Sequence, residues 1–427
     1  MADGLEYPQR NDDADDDTGE EAEDPGLDPK EQERRAAENN ERIVAYLKER
    51  QARLEVVTTT RTPQGQVVDW VPVERLAPDG KVADPPGEDG LDLGFLDEPA
   101  DGREVRPAEL VRFELEAEDA ERGPAGTVPV ARRDLSTITS TATLQDYLSK
   151  HGRAAVLRPD GLGDDIALPE DGTVHKYAYS AHWVTAYGCE GNINAWDPYL
   201  EWSNEFSLGQ CAVVRGSGGG KQTIEAGHQE YRDLYGDWVP HLFVFYTTNG
   251  YTSSGDNKGG YNQDVDGWVQ YSSSVYPEAL SSPLSSFGGT QYIMNLKWQL
   301  WQGNWWLRCN GRWIGYYPAS LFNAAGLRNQ AEKVAWYGEI VDSGSHAGTT
   351  RTDMGNGHWP YEGWQHCAYM ANLAYQSTTG GSMSRYDPGS VYASHPKCYG
   401  VEGHFDNTGS WGPYFWWGGS GKNSQCP

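Results

Sequence analysis

The chain has 427 residues, with 62 Asp and Glu against 34 Lys and Arg, a formal charge of -28 and an isoelectric point near 4.6. That balance argues against binding a nucleic-acid backbone, which needs clustered Lys and Arg. No run approaches the roughly eighteen apolar residues of a membrane-crossing helix. The length allows about two or three domains. Abundant Gly (51), Tyr (25) and Trp (17), beside scarce Met (5) and Phe (9), point to short strands, turns and amphipathic rings, hence an all-β class.

Residues 1 to 30 are acidic and carry Pro and Gly with almost nothing to bury, so a disordered tail is expected. From Glu31 to Leu54 the pattern is helical, and Ile43, Val44 and Leu47 form a short apolar stripe that needs a larger surface to dock on. Glu55 to Pro72 is read as two β-branched strands around Pro63-Gln64-Gly65, a hairpin. Residues 76 to 122 are expected to be a partly ordered linker, Gly123 to Arg133 extended, and Thr143 to Lys150 a helical turn or two. A Gly- and Asp-rich stretch, exposed and open to proteolysis, runs to Gly172.

From Lys176 onward, apolar and polar residues alternate and turns recur about every ten residues. His182–Tyr187, Gly191–Trp196, Glu205–Leu208, Cys211–Val214, His241–Tyr246, Trp268–Tyr271, Gln291–Leu296 and Asn304–Arg308 read as strands of an antiparallel sandwich or barrel. Pro318–Phe322 and Ala324–Leu327 are the only helical turns expected there. All six cysteines, Cys189, Cys211, Cys309, Cys367, Cys398 and Cys426, fall in this region without CxxC or zinc spacing. Disulfides in an oxidising compartment suit that distribution, and buried free thiols are the alternative. The N-terminus Met1-Ala2-Asp3-Gly4-Leu5-Glu6-Tyr7 has no basic or apolar leader, so no signal peptide is visible.

Two carboxylates stand out. In the strand Val334 to Val341, Val334, Trp336 and Ile340 share one face, and Ala335, Tyr337, Glu339 and Val341 the other. Desolvation of Glu339 there is expected to raise its pKa and make a general acid. In Lys221 to Gln229, Thr223, Glu225, Gly227 and Gln229 share a face on which Gly227 leaves room for a ligand's backbone. If the two glutamates converge, they can share a proton, one as base and one as donor. Ser217 and Ser420 lack a nucleophile elbow, Gly418 to Lys422 lacks P-loop spacing, and His346, His358 and His366 lack metal-ligand spacing, so no metal or cofactor is expected. A carbohydrate-binding β-sandwich or a two-carboxylate glycosidase would have a similar composition.

The chain resembles the neprosin family of glutamic peptidases. The resemblance rests on Ile193-Asn194-Ala195-Trp196-Asp197-Pro198, Glu205-Phe206-Ser207-Leu208, Thr223-Ile224-Glu225-Ala226-Gly227, Leu234-Tyr235-Gly236-Asp237, Gly303 to Leu307, Ile314 to Pro318, Trp336-Tyr337-Gly338-Glu339, Met354 to Pro360 and Trp411 to Gly419. It implies an antiparallel β-sandwich catalytic domain over 173–427, with Glu225 and Glu339 catalytic, and a small α/β propeptide before it. Thr62 to Trp70 resembles the family's activation hairpin, and Gly126 to Val130 with Arg132-Arg133 the stretch before its catalytic domain. Residues 31–122 are then an activation-peptide-like segment and linker, and 123–172 a connecting segment with the processing site. Pro124, Pro129, Pro159 and Pro169 are candidate trimming points.

The expected activity is acid-dependent hydrolysis at proline in peptide or protein substrates, through a water activated by the two glutamates. The propeptide would act as intramolecular inhibitor of a secreted monomer. The resemblance also pairs Cys398 with Cys426 and leaves Cys189, Cys211, Cys309 and Cys367 unassigned. Two departures are visible: Gly260-Tyr261-Asn262 replaces a usual cysteine-containing pattern, and His228 stands where the family commonly has Trp.

Overall fold

Asp28 caps the first helix by accepting from the Lys30 amide at 3.0 Å, and Pro29 opens it with a φ already suited to the first turn. This helix, α1 (Pro29–Arg53), buries Ile43 and Leu47 and places Arg50 and Arg53 in its last turn. The expected hairpin follows as β1 (Thr58–Arg61) and β2 (Val67–Pro72), in register from Thr58 opposite Trp70 to Arg61 opposite Val67. A third strand, β3 (Thr127–Ala131), pairs with β2 where the sequence suggested only extended chain. Helix α2 (Leu144–Leu148) is capped by Thr143 and buries Tyr147 and Leu148.

The computed structural model describes residues 28–87, 108–150, 174–344, 348–386, 389–405 and 411–427. The acidic tail up to residue 27, residues 88–107 of the expected linker, and 151–173 with Pro159 and Pro169 lie outside them, as does His346.

Two antiparallel sheets make the body, and the fold is an all-β sandwich with the helical N-terminal segment against it. The seven-stranded sheet contains β4 (Val174–Ala186), β5 (Ser207–Arg215), β6 (Gln222–Glu230), β7 (His241–Thr247), β8 (Gly259–Tyr261), β9 (Ala331–Asp342) and β10 (Val391–Ala393), in the spatial order β8-β7-β6-β5-β9-β4-β10. The second sheet has ten strands; Tyr292–Trp301, Gly188–Asn194 and Ala368–Gln376 lie side by side in it. Linker residues also join the body: Glu109–Leu110 pairs with Tyr292–Trp301, and Arg112–Phe113 with Ser281–Ser282.

Between the sheets, apolar side chains and close backbone approach alternate. Trp336 donates from Nε1 to the Glu190 carbonyl of the opposite sheet at 3.1 Å. Trp417 lies against Gly338 and Gly209, where a Cβ would stand 2.2 Å and 3.1 Å from its ring. That contact explains one difference from expectation. Glu205–Leu208 and Cys211–Val214 read as two strands with Gly209-Gln210 in neither, yet β5 runs without interruption from Ser207 to Arg215. A short helical turn, Arg232–Tyr235, ends at Gly236 with φ of +86° and adds to the turn at Ala319–Leu321. Cys398 and Cys426 form a disulfide with Cα atoms 5.4 Å apart, while Cys189, Cys211, Cys309 and Cys367 are buried free thiols.

Candidate active site

Because successive side chains alternate across a strand, Trp336 and Ile340 enter the sandwich and Tyr337 and Glu339 point the other way. Register carries that outer face across the sheet: Glu339 lies opposite Leu208 and Tyr337 opposite Gln210 on β5, while Gln210 lies opposite Gly227 and Ala212 opposite Glu225 on β6. Glu225 and Glu339 therefore share one face, with Gln210 on the strand between them. Gly227 admits protein here, not ligand. A Cβ at Gly227 would stand 2.1 Å from the Gly209 carbonyl and 2.7 Å from Gln210 Cβ, so its bareness lets β5 and Gln210 approach.

The two carboxylates meet on one ammonium group. Lys150 Nζ, two residues beyond α2, lies 2.5 Å from Glu225 Oε2, 3.2 Å from Glu339 Oε2 and 2.9 Å from Gln210 Oε1. The same Nζ is 5.4 Å and 5.5 Å from the ring centres of Phe243 and Phe245 on β7. All three charged side chains are buried. Burial works against the Lys150 charge, but Glu225 and then Glu339 overcome it and raise its pKa.

Further donors hold each carboxylate. Glu225 Oε1 accepts from Thr223 Oγ1 at 2.7 Å and Tyr251 OH at 2.6 Å, and Oε2 accepts from Gln210 Nε2 at 2.8 Å and Tyr337 OH at 3.4 Å. Glu339 Oε1 lies 2.6 Å from His175 Nδ1. Burial pushes the Tyr251, Tyr337 and Tyr177 phenols well above their usual range, and the neighbouring carboxylates push them further, so all three remain O–H donors. For Glu339 the expectation of a raised pKa is corrected. Burial does push it up, but Lys150 and then His175 outweigh burial and hold it below the ordinary value.

Alternation and residue type pointed to Glu225, Glu339 and the shared face of Tyr337. Lys150, His175, Gln210 and Tyr251 were missed. Lys150 reads as the end of a helical turn, and Gln210 falls between two strand readings. His358 and His366 pack at a tilt against the Phe287 ring, and His358 Nδ1 lies 2.9 Å from Glu362.

A profile of the family described as Neprosin matches residues 203–420, just over half the chain and inclusive of both glutamates. Among solved structures, a homodimeric agglutinin from chicken liver is similar at 10% identity and a TM-score of 0.19, over 38% of this chain and 92% of its own. A toad ovary galectin in complex with thio-digalactose is similar at 8% identity and a TM-score of 0.20, over 39% of this chain and 90% of its own. Likenesses this slight carry no argument about fold or ligand.

Proposed function

The chain belongs to the neprosin family of peptidases, and from that premise we propose that it is an acid-active glutamic endopeptidase, made latent, that cleaves peptide chains at proline through Glu225 and Glu339. One observation carries the reading: carboxylates more than a hundred residues apart in sequence meet at a single ammonium. A water taking the place of Lys150 Nζ would lie between two carboxylates and the Gln210 amide oxygen. One glutamate, ionised, takes a proton from that water as it attacks the peptide carbonyl. The other, protonated, donates to the carbonyl oxygen and then to the leaving amine. No covalent intermediate is needed.

The latent state is supported by the same contact. Lys150 arrives from the N-terminal segment and fills the space between the carboxylates, so residues up to about 172 act as an intramolecular inhibitor. Glu339 gives the acid dependence its sign. Its lowered pKa means that its hold on Lys150 is fully present above the ordinary carboxylate value of 4.5 and is lost as pH falls through its own lower value. The outer face around the glutamates carries Tyr177, Tyr179 and Tyr337, flat rings suited to proline beside an extended substrate. The disulfide fits export to an oxidising compartment.

The test is acid incubation of the purified chain, followed on a gel and with a proline-containing peptide. The wild type should lose its N-terminal segment and then hydrolyse the peptide. Glu225→Gln and Glu339→Gln should each remain full length and be slower by about 10²- to 10⁴-fold. Trimming at wild-type rate by either variant rules the two-glutamate mechanism out.

A further inference from the structure

Beyond the pair itself, the structure distinguishes the two glutamates. We propose that His175 is a positioning residue for the hydrolysis: its Nδ1–H holds Glu339 Oε1, presents Oε2 to the water, and makes Glu339 the general base and Glu225 the acid. This rests on the peptidase reading above.

His175 is the second residue of β4, opposite Val341, which puts it on the outer face with Tyr177 and Glu339. Its side chain is 1% exposed, and Nδ1 lies 2.6 Å from Glu339 Oε1. Tyr177 stacks on the ring at 6.1 Å and Phe206 meets it edge-on at 5.8 Å, so the imidazole cannot turn away. Nε2 is buried with no hydrogen-bond partner among the described residues. A proton on Nε2 would be buried unsatisfied, so the tautomer that fits carries it on Nδ1. In that tautomer the contact to Glu339 is a donation, which favours a carboxylate over a carboxylic acid.

The partners of Glu225 include no imidazole. Thr223 and Tyr251 reach it with hydroxyls, which can donate to a carboxylate or accept from a carboxylic acid. Gln210 offers an amide whose oxygen and nitrogen can exchange places. Glu225 can therefore hold the proton without losing its partners. Glu339 holds it less readily: Tyr177 also reaches it with a hydroxyl, but the His175 N–H stabilises the ionised carboxylate over the acid. The other ionisable groups facing Glu339 are Lys150, Glu225 on β6, Tyr177 on β4, Tyr251 after β7, Tyr261 on β8 and Tyr337 on β9, the tyrosines all kept protonated by burial. Once Lys150 has left, His175 is the strongest remaining influence that lowers the Glu339 pKa.

The experiment compares acid-processed wild type with His175→Ala, His175→Asn and His175→Gln on one proline-containing peptide, measuring kcat and kcat/KM across pH. The acid limb of kcat/KM reports the base of the free enzyme. In His175→Ala, kcat should fall by about 10- to 100-fold, the size usual for loss of an orienting partner. KM should stay within about twofold, since no substrate contact is removed. The acid limb should move to higher pH as Glu339 loses its donor. Asn places an N–H near the Nδ1 position and should restore most of kcat and the acid limb; Gln places it near Nε2 and should not. If the alanine variant fails to fold, the Asn and Gln pair decides alone. An unmoved acid limb, a shifted alkaline limb instead, or equal rescue by Gln and Asn overturns the assignment. An inactive wild type, or glutamine variants of Glu225 and Glu339 that stay active, overturns the peptidase reading and this one with it; an active wild type with an unmoved acid limb overturns this one alone.

Discussion

Lys150 is one side chain set among residues of four strands, β5, β6, β7 and β9. Its ammonium satisfies two buried carboxylates at once and lies near the faces of Phe243 and Phe245. Lys150→Met keeps the stem and deletes the charge. The two glutamates then lose their shared cation, a loss of the kind that costs about 3–5 kcal/mol when a buried pair is broken. A lower melting temperature at neutral pH should result, with a smaller deficit in acid, where one carboxylate is protonated. The same variant should begin self-trimming at a higher pH than wild type, because no ion pair has to be lost first; gels across a pH series read this directly. If trimming starts at the same pH in both, the ammonium is not what keeps the site closed.

On the scale of elements, β3 and α2 are tied to the body through Arg133. Its guanidinium is buried, 2.7 Å from Asp264 and 3.0 Å from Glu278, and Nη1 donates to Tyr147 OH at 2.6 Å. Arg50, from the end of α1, adds contacts of 2.7 Å to Asp256 and Asp266. Burial lifts the Asp264 carboxyl to about 6, although Arg133 pulls it down. Arg133→Met leaves Asp264 and Glu278 facing each other without a cation and should destabilise the chain by about 3–5 kcal/mol. The sign with pH follows from the raised carboxyl: a group that binds its proton more tightly when folded opposes folding in full above its folded pKa, and that opposition fades as pH falls toward its unfolded value. Without Arg133 to pull it down the carboxyl rises further, so the variant should lose most at alkaline pH and recover on acidification, as thermal melts at two pH values would show. An equal loss at both would mean that the carboxylates escape to water.

For the whole molecule, one disulfide closes a 28-residue separation near the C-terminus. Chain-entropy reasoning gives it about 3–4 kcal/mol, so Cys398→Ser should lower the melting temperature by several degrees. The remaining cysteines form no further bridge: burial raises the thiols of Cys189 and Cys309 and pushes Cys367 up to about 12. A thiol reagent should find no reactive cysteine in the native protein and four after unfolding. Four fast thiols in the native state would contradict the burial described.

Alternation and residue type alone determined the class of fold, the hairpin of β1 and β2, the α1 stripe of Ile43 and Leu47, and the face on which Glu225 and Glu339 each lie. Those are local properties, set by side-chain direction along a strand or helix. The convergence of the two glutamates depends on the order β6-β5-β9, a pairing between distant segments that no local pattern encodes. Lys150, His175 and Gln210 became visible only there, because an ammonium, an imidazole and an amide acquire their roles from what they are folded against. The Glu339 pKa shows the same division: burial could be foreseen from its apolar neighbours, but the cation and the ring nitrogen that reverse its effect reach it only through the tertiary structure.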